Sequence, residues 1–186
     1  QHLNTIKQLS ENKDSNITQY ISEIVDDFNI MNPIDYCNNP TVNLITHRYY
    51  EICKKNNINF TISIKNANID FIKEHDITAL LDNLLENAVE SALMTNEKFI
   101  DFSISTRNSN FVIIKISNSC NKKPKYIDGT LVSSKSTSGM HGIGTRSIKR
   151  VVEKYNGNLE MKFDNDTKTF TSVIGINSNL PSNNQS

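Results

Sequence analysis

Two asparagines, Asn83 and Asn87, stand four residues apart in the run "ITALLDNLLENAVESALM". In that run Ile77, Leu80, Leu81, Leu84, Leu85, Ala88, Val89, Ala92 and Leu93 follow the i, i+3, i+4, i+7 rule. The spacing predicts an amphipathic helix over residues 76–94, capped by Asp76. Asn is a poor helix former, so two of them on the margin of the apolar stripe need partners there. Local hydrogen bonds would serve, and so would a ligand. A side-chain amide oxygen suits Mg²⁺, a hard ion that takes oxygen ligands. A second stretch, "HGIG" at 141–144, runs straight into the helix-like "TRSIKRVVEKYNG". Glycines alone mark a turn. Before a helix they also admit a ligand close to the backbone, and the helix N-terminus offers free N–H groups to phosphate.

The elements that must hold these residues can be read from the pattern. A helical stripe covers Ile17, Tyr20, Ile21, Ile24, Val25 and Phe28, and Pro33 and Pro40 punctuate a linker after it. "TVNLITHRYYEICKKNN" predicts a helix, and "INFTISI" an alternating strand. After helix 76–94, Phe99–Arg107 and Phe111–Asn118 form a hairpin across "NSN". Residues 119–141 are polar and aperiodic, a long loop of the kind that is functional or disordered. The helix opened by "HGIG" runs to about Tyr155, with Gly157 as its stop. "NLEMKF" and "TKTFTSVIGI" close the chain as a hairpin across Asp164–Asp166. This order predicts an α+β fold with helices on one face of a mixed sheet.

Composition removes several classes. Lys+Arg and Asp+Glu are equal at 20 each, which argues against a dedicated nucleic-acid binder. A hydrophobic content of 37% fits a soluble domain, and no apolar run is long enough to span a membrane. Cys37, Cys53 and Cys120 form no CxxC pair, which favours a reducing cytoplasm over a disulfide framework. His2, His47, His75 and His141 are scattered without zinc-ligand spacing.

The motifs, in order, resemble a family. "NLLENAVESA" resembles the N-box of sensor histidine kinases, in the GHKL ATPase superfamily shared with gyrase and MutL. "HGIGTRSIKRVVEKYNG" resembles their G2 box. Asn118–Ser119, Ser134–Lys135, His141–Gly144 and Lys154–Gly157 follow in the order of the Agr-type, peptide-responsive quorum-sensing subgroup. The resemblance covers about residues 40–177. It implies the Bergerat ATP-binding fold, a two-layer α/β sandwich, over 38–178, with a loose tail at 179–186. "QHLNTIKQL" resembles the stretch just after the phosphoacceptor histidine. His2 then matches the second histidine of that pattern, and the acceptor would precede Gln1. Residues 1–37 would be part of a helical dimerisation region.

Carried over, the resemblance implies ATP and Mg²⁺ as ligands. Asn87 would ligate Mg²⁺ at the phosphates, and Asn83 would hold the same region, the two forming the catalytic pair. Gly142, Ile143 and Gly144 would bring backbone close to the nucleotide, flanked by His141 and Thr145. Lys135 and Arg146 would add positive charge, and 119–141 would be the ATP lid. The usual DxGxG box reads Asn118-Ser119-Cys120-Asn121 here, so Asn118 would meet adenine through its amide oxygen. Thr145 stands where Leu is usual. Implied partners are a response regulator and a second copy of the chain, joined through the N-terminal helices of the full-length protein. Membrane attachment would come only from a sensor region outside this chain, making this the cytoplasmic portion of a bacterial membrane-bound sensor.

Position 83 separates activities. ATP-hydrolysing relatives resemble ExxxN, with Glu as the base that activates water. Asn83 cannot act as a base, which favours phosphoryl transfer to a positioned histidine. Glu86 and Glu90 are disfavoured as bases by their helix phase. The alternative is a degenerate ATP-fold module acting as a phosphorelay or interaction scaffold without ATP, on the strength of the missing DxGxG.

Overall fold

The computed structural model describes residues 36–65, 67–122, 126–127, 130–131 and 143–179. The expected N-terminal helical region, Pro33 and the tail beyond 179 lie outside the described residues. Helix α1, Pro40–Lys55, starts on an Asn39 cap whose Oδ1 accepts from Val42 N at 3.1 Å. Pro40 occupies the first turn, where its missing N–H costs nothing. It therefore begins a helix rather than punctuating a linker. Strand β1 is Asn59–Lys65, helix α2 is Glu74–Leu93, and strands β2, Phe99–Arg107, and β3, Phe111–Ser119, form the expected hairpin. Short strands β4, Tyr126–Ile127, and β5, Thr130–Leu131, pair with each other inside the segment read as one irregular loop. Helix α3 is Ile143–Lys154, followed by β6, Asn158–Asp164, and β7, Thr169–Asn177.

The main sheet has five strands in the order β1-β2-β3-β7-β6. β1 runs parallel to β2 and every other neighbour pair is antiparallel, so the sheet is mixed. Alternation sends one face inward. Ile100, Phe102 and Ile104 of β2 face Asn118, Ile116 and Ile114 of β3, and these face Phe170, Ser172 and Ile174 of β7. All nine are buried. Against that face lie Val42, Ile45 and Tyr49 of α1, the α2 stripe from Ile77 to Ala92, and Ile148, Val151 and Val152 of α3, while Leu93, expected in the stripe, is exposed at the end of α2. The opposite face carries Thr61, Asp101, Lys115, Glu160 and Lys162 and is largely solvated. The result is the expected two-layer α+β sandwich. Among the described residues no helix is long and apolar enough to cross a membrane.

Two turn readings change. Asp76 is not the cap of α2: the cap position is Lys73, without a side-chain cap bond, and Asp76 lies buried in the first turn. At the end of α3 the left-handed residue is Asn156 (φ 51°), not Gly157. Gly157 is needed for space instead, because a Cβ there would sit 2.9 Å from Gly175 O and 2.9 Å from Ile176 Cγ1.

Candidate functional site

A polar stripe runs along one flank of α2. Asn83, Asn87 and Ser91 follow at i, i+4 and i+8, each about 40° round from the last. Asn83 is half-buried, and its Nδ2 donates to Ala79 O at 2.6 Å. Its Oδ1 abuts the start of α3, where a Cβ on Gly144 would lie only 2.8 Å away. Ser91 Oγ donates to Ser119 O at 3.1 Å, tying the other end of the stripe to the end of β3. Asn87 sits between these two anchors, exposed, and no partner holds its amide among the described residues.

The end of β3 is polar, buried and hydrogen-bonded. Asn118 stands on the inward face between Ile100 and Phe170, only 3% exposed. Its Nδ2 donates to Ser119 O at 2.9 Å, which leaves Oδ1 as the acceptor it can offer a ligand. Ser119 Oγ is hydrogen-bonded to Thr95 Oγ1 at 2.9 Å and accepts from Phe99 N at 3.2 Å. Ser119 thus joins α2's C-terminal end, β2 and β3. Sequence reading missed Ser91 and Thr95, and named Ser119 within a motif without giving it a role. The signal for Ser91 was present, since it continues the Asn83–Asn87 spacing by one further turn.

At the start of α3, Ile143 is the first helical residue, Thr145 is buried and Arg146 is exposed to solvent. Lys135, His141 and Gly142 lie outside the described residues. The structure therefore brings Asn83 to Gly144 and connects Ser91 to Ser119. It leaves Arg146 on the solvent side of its helix.

The other end of α3 carries a buried charged cluster. Asp76 Oδ2 accepts from Lys154 Nζ at 2.6 Å and from Tyr155 OH at 2.7 Å. Tyr155 OH in turn accepts from Lys73 N at 2.9 Å, so α3's end supplies the cap that α2's own residues lack. His75 Nε2 lies 3.3 Å from Asp76 Oδ1. Burial pushes the Asp76 carboxyl up, but the bonds from Lys154 and Tyr155 and the charges of Lys154 and His75 outweigh it, holding it below the ordinary value. Burial, with the Asp76 bond, pushes the Tyr155 phenol up to about 12.

Most acids of α2 face elsewhere. Asp82 pairs with Arg48 of α1, and its carbonyl accepts from Tyr49 OH at 3.1 Å. Glu86 and Glu90 border a groove of about 470 Å³ between α1 and α2, lined also by Arg48, Ile52 and Val89. On the helix wheel Glu86 lies on the α1 side, about 60° from Asn83 and about 100° from Asn87, whereas Glu90, seven residues after Asn83, comes within about 20° of it and borders the stripe. Among the described residues no three His, Cys, Asp or Glu side chains gather as a metal site. The stripe itself offers a cation the amide oxygens of Asn83 and Asn87.

The fold is that of histidine kinase catalytic domains. The nucleotide-free catalytic domain of histidine kinase ThkA aligns with a TM-score of 0.58 at 17% identity, covering 76% of this chain and 92% of that one. Histidine kinase AdeS of Acinetobacter baumannii aligns with a TM-score of 0.53 at 13% identity, over 96% of this chain and 94% of that one. At such identities the likeness speaks for the fold. The chain belongs to the GHKL domain family, whose model matches residues 72–176, more than half of its length. A probable C4-dicarboxylate sensor kinase of Bacillus subtilis (strain 168) is 29% identical over 112 residues, or 56% of this chain. The chain spans only about a fifth (20%) of that relative's length.

Proposed function

We propose that residues 38–178 are the ATP-binding catalytic domain of a two-component sensor histidine kinase, transferring the γ-phosphoryl group of ATP to a histidine on a dimerisation helix. One observation carries this reading. The α2 stripe brings Asn83 against the glycine at the start of α3 and ties Ser91 to the end of β3, with the Asn87 amide exposed between them. A nucleotide laid along that stripe would have its base near Asn118 and its phosphates near Gly144.

The residues present fit that ligand. Asn118 offers its Oδ1 as an acceptor to an exocyclic amino group, the amide being oriented by the bond from Nδ2 to Ser119 O. Asn87 offers an amide oxygen without competing partners among the described residues. Mg²⁺ bound there would neutralise phosphate charge, which phosphoryl transfer requires more than covalent help. The first N–H groups of α3, reached past Gly142 and Gly144, would face the phosphates. On the family resemblance His141, Ile143 and Thr145 would flank that approach, and Lys135 and Arg146 would supply positive potential. The absence of a carboxylate at position 83 favours transfer over hydrolysis. The attacking group would be the imidazole of the acceptor histidine, taking the phosphoryl group as ADP leaves.

The motif order supports reading the chain as a member of the Agr-type, quorum-sensing subgroup. On that reading residues 1–37 belong to the dimerisation region and 179–186 form a tail. A response regulator is the downstream partner and a second copy of the chain the dimer partner. The whole would be the cytoplasmic part of a membrane-bound sensor.

Calorimetric titration with ATP and Mg²⁺, beside an Asn87→Ala variant, tests the reading. Mg²⁺-dependent binding that Asn87→Ala removes is the expected outcome, with stability altered by no more than about 0.5 kcal/mol because the side chain is exposed. Phosphorylation of a supplied dimerisation segment carrying the acceptor histidine should follow. A folded protein that binds no nucleotide would instead favour the scaffold reading that the missing DxGxG box raises.

A further inference from the structure

We propose that Asp76, through Tyr155 and Lys154, is a positioning residue for the phosphate-binding end of α3, far from any ligand contact of its own. The inference rests on the nucleotide reading above.

Helix α2 holds α3 at both ends. Asp76 and Asn83 are seven residues apart on α2, two turns, and so lie on nearly the same flank. Asn83 meets Gly144 at the beginning of α3, and Asp76 binds Lys154 and Tyr155 at its end. The two helices are therefore antiparallel, pinned by hydrogen bonds at the Asp76 end and set by close approach at the Gly144 end. Between the pins the contact is apolar: Ile148, Val151 and Val152 are buried against the core. Apolar burial is non-directional and sets axial position less sharply than a hydrogen bond does. At the Gly144 end the contact is one side-chain amide, which also serves Ala79 O.

The directional bonds sit at the far end. Tyr155 OH donates to Asp76 and accepts from Lys73 N, so it fixes the axial position of α3 relative to the first turn of α2. Lys154 Nζ closes the same carboxylate oxygen at 2.6 Å. A helix is stiff along its axis, so an axial shift at Tyr155 is passed to Gly144 undiminished. A misplacement of about 1 Å at a reacting group can cost about a hundredfold. A twelve-residue helix is marginal by itself, so its register depends on such tertiary anchors.

The test compares wild type, Tyr155→Phe, Asp76→Asn, Gly144→Ala and the Tyr155→Phe/Gly144→Ala pair. Calorimetry with ADP and ATP–Mg²⁺ gives the affinity of the folded fraction, and circular dichroism with thermal melting gives folding. We expect Tyr155→Phe to stay folded and to lose nucleotide affinity tenfold or more. We also expect the double variant to lose less than the product of the two single losses, since both act on one helix end. A Tyr155→Phe that melts lower but binds with wild-type affinity overturns the inference, leaving the cluster a stability element. If Asp76→Asn fails to fold, Tyr155→Phe, which keeps the Asp76–Lys154 pair, still decides. Wild-type protein that binds neither nucleotide refutes the kinase reading itself, a result separable from the first.

Discussion

A β-carbon on Gly144 would lie 2.8 Å from Asn83 Oδ1, closer than such atoms approach without one of them moving. The glycine at the head of α3 is thus matched to an asparagine on α2 rather than to an unusual backbone angle. Gly144→Ala should leave stability within about 1 kcal/mol of wild type, because alanine favours the helix by up to about that much while the amide is displaced. Nucleotide affinity should nevertheless fall about tenfold, or about 1.4 kcal/mol. Urea unfolding and calorimetry on the same sample separate the two effects. Unchanged affinity would make the close approach a matter of packing only.

Asn118 stands where the related motif carries Asp, and its surroundings favour the amide. Its Nδ2 donates to Ser119 O at 2.9 Å in a position only 3% exposed. Asn118→Asp replaces that donor with an oxygen facing a carbonyl oxygen, with no water to screen them. A loss of about 1–3 kcal/mol is expected in chemical denaturation at neutral pH. A variant as stable as wild type would show that the Asn118–Ser119 bond contributes little.

Stability should fall at both pH extremes through one cluster. The folded Asp76 carboxyl is held below its ordinary value, so its contribution is present above about 3.9 and is lost as pH falls through the depressed value. The folded Tyr155 phenol is raised to about 12, so its contribution is present below about 10 and is lost as pH rises through about 12. Asp164, held low by the N–H groups of Asp166 and Thr167, adds to the acid limb. Burial also raises Tyr36 and Tyr49, which add to the alkaline limb. The readout is therefore a difference. Unfolding free energy against pH should have a flatter acid limb in Asp76→Asn and a flatter alkaline limb in Tyr155→Phe. Limbs that keep their wild-type slopes would contradict the assignment.

The turn after α3 divides two duties between neighbours. Asn156 takes the left-handed conformation (φ 51°), while Gly157 fits under Gly175 O, Ile176 and Val152 with its N–H bonded to Val152 O at 2.8 Å. Gly157→Ala should cost about 1–3 kcal/mol through overpacking. Asn156→Gly should change stability by less than about 1 kcal/mol, since glycine accepts that angle. Thermal melts of the pair give the order, and a reversed order would mean that backbone angle outweighs space at this turn.

Much of the fold was legible because it is local. The apolar repeat from Ile77 to Ala92 fixes which face of α2 is buried. The alternation on either side of Asn108–Asn110 fixes the β2–β3 hairpin, and both are found as expected. The candidate site was legible in part. The spacing of Asn83 and Asn87 placed them on one flank, and the glycines marked the start of α3. Asp76 was misread, because the sequence offers a cap-forming residue before an apolar run and says nothing of a tyrosine 79 positions later. Helix period and strand alternation are properties of neighbouring residues, so the chain alone determines its elements and their inward faces. Which inward-facing or flanking residues meet depends on how helix packs on helix and on sheet. Only that packing brings Asp76 to Tyr155, Ser91 to Ser119 and Gly144 to Asn83, and only it makes one polar stripe a bridge between two ends of the domain.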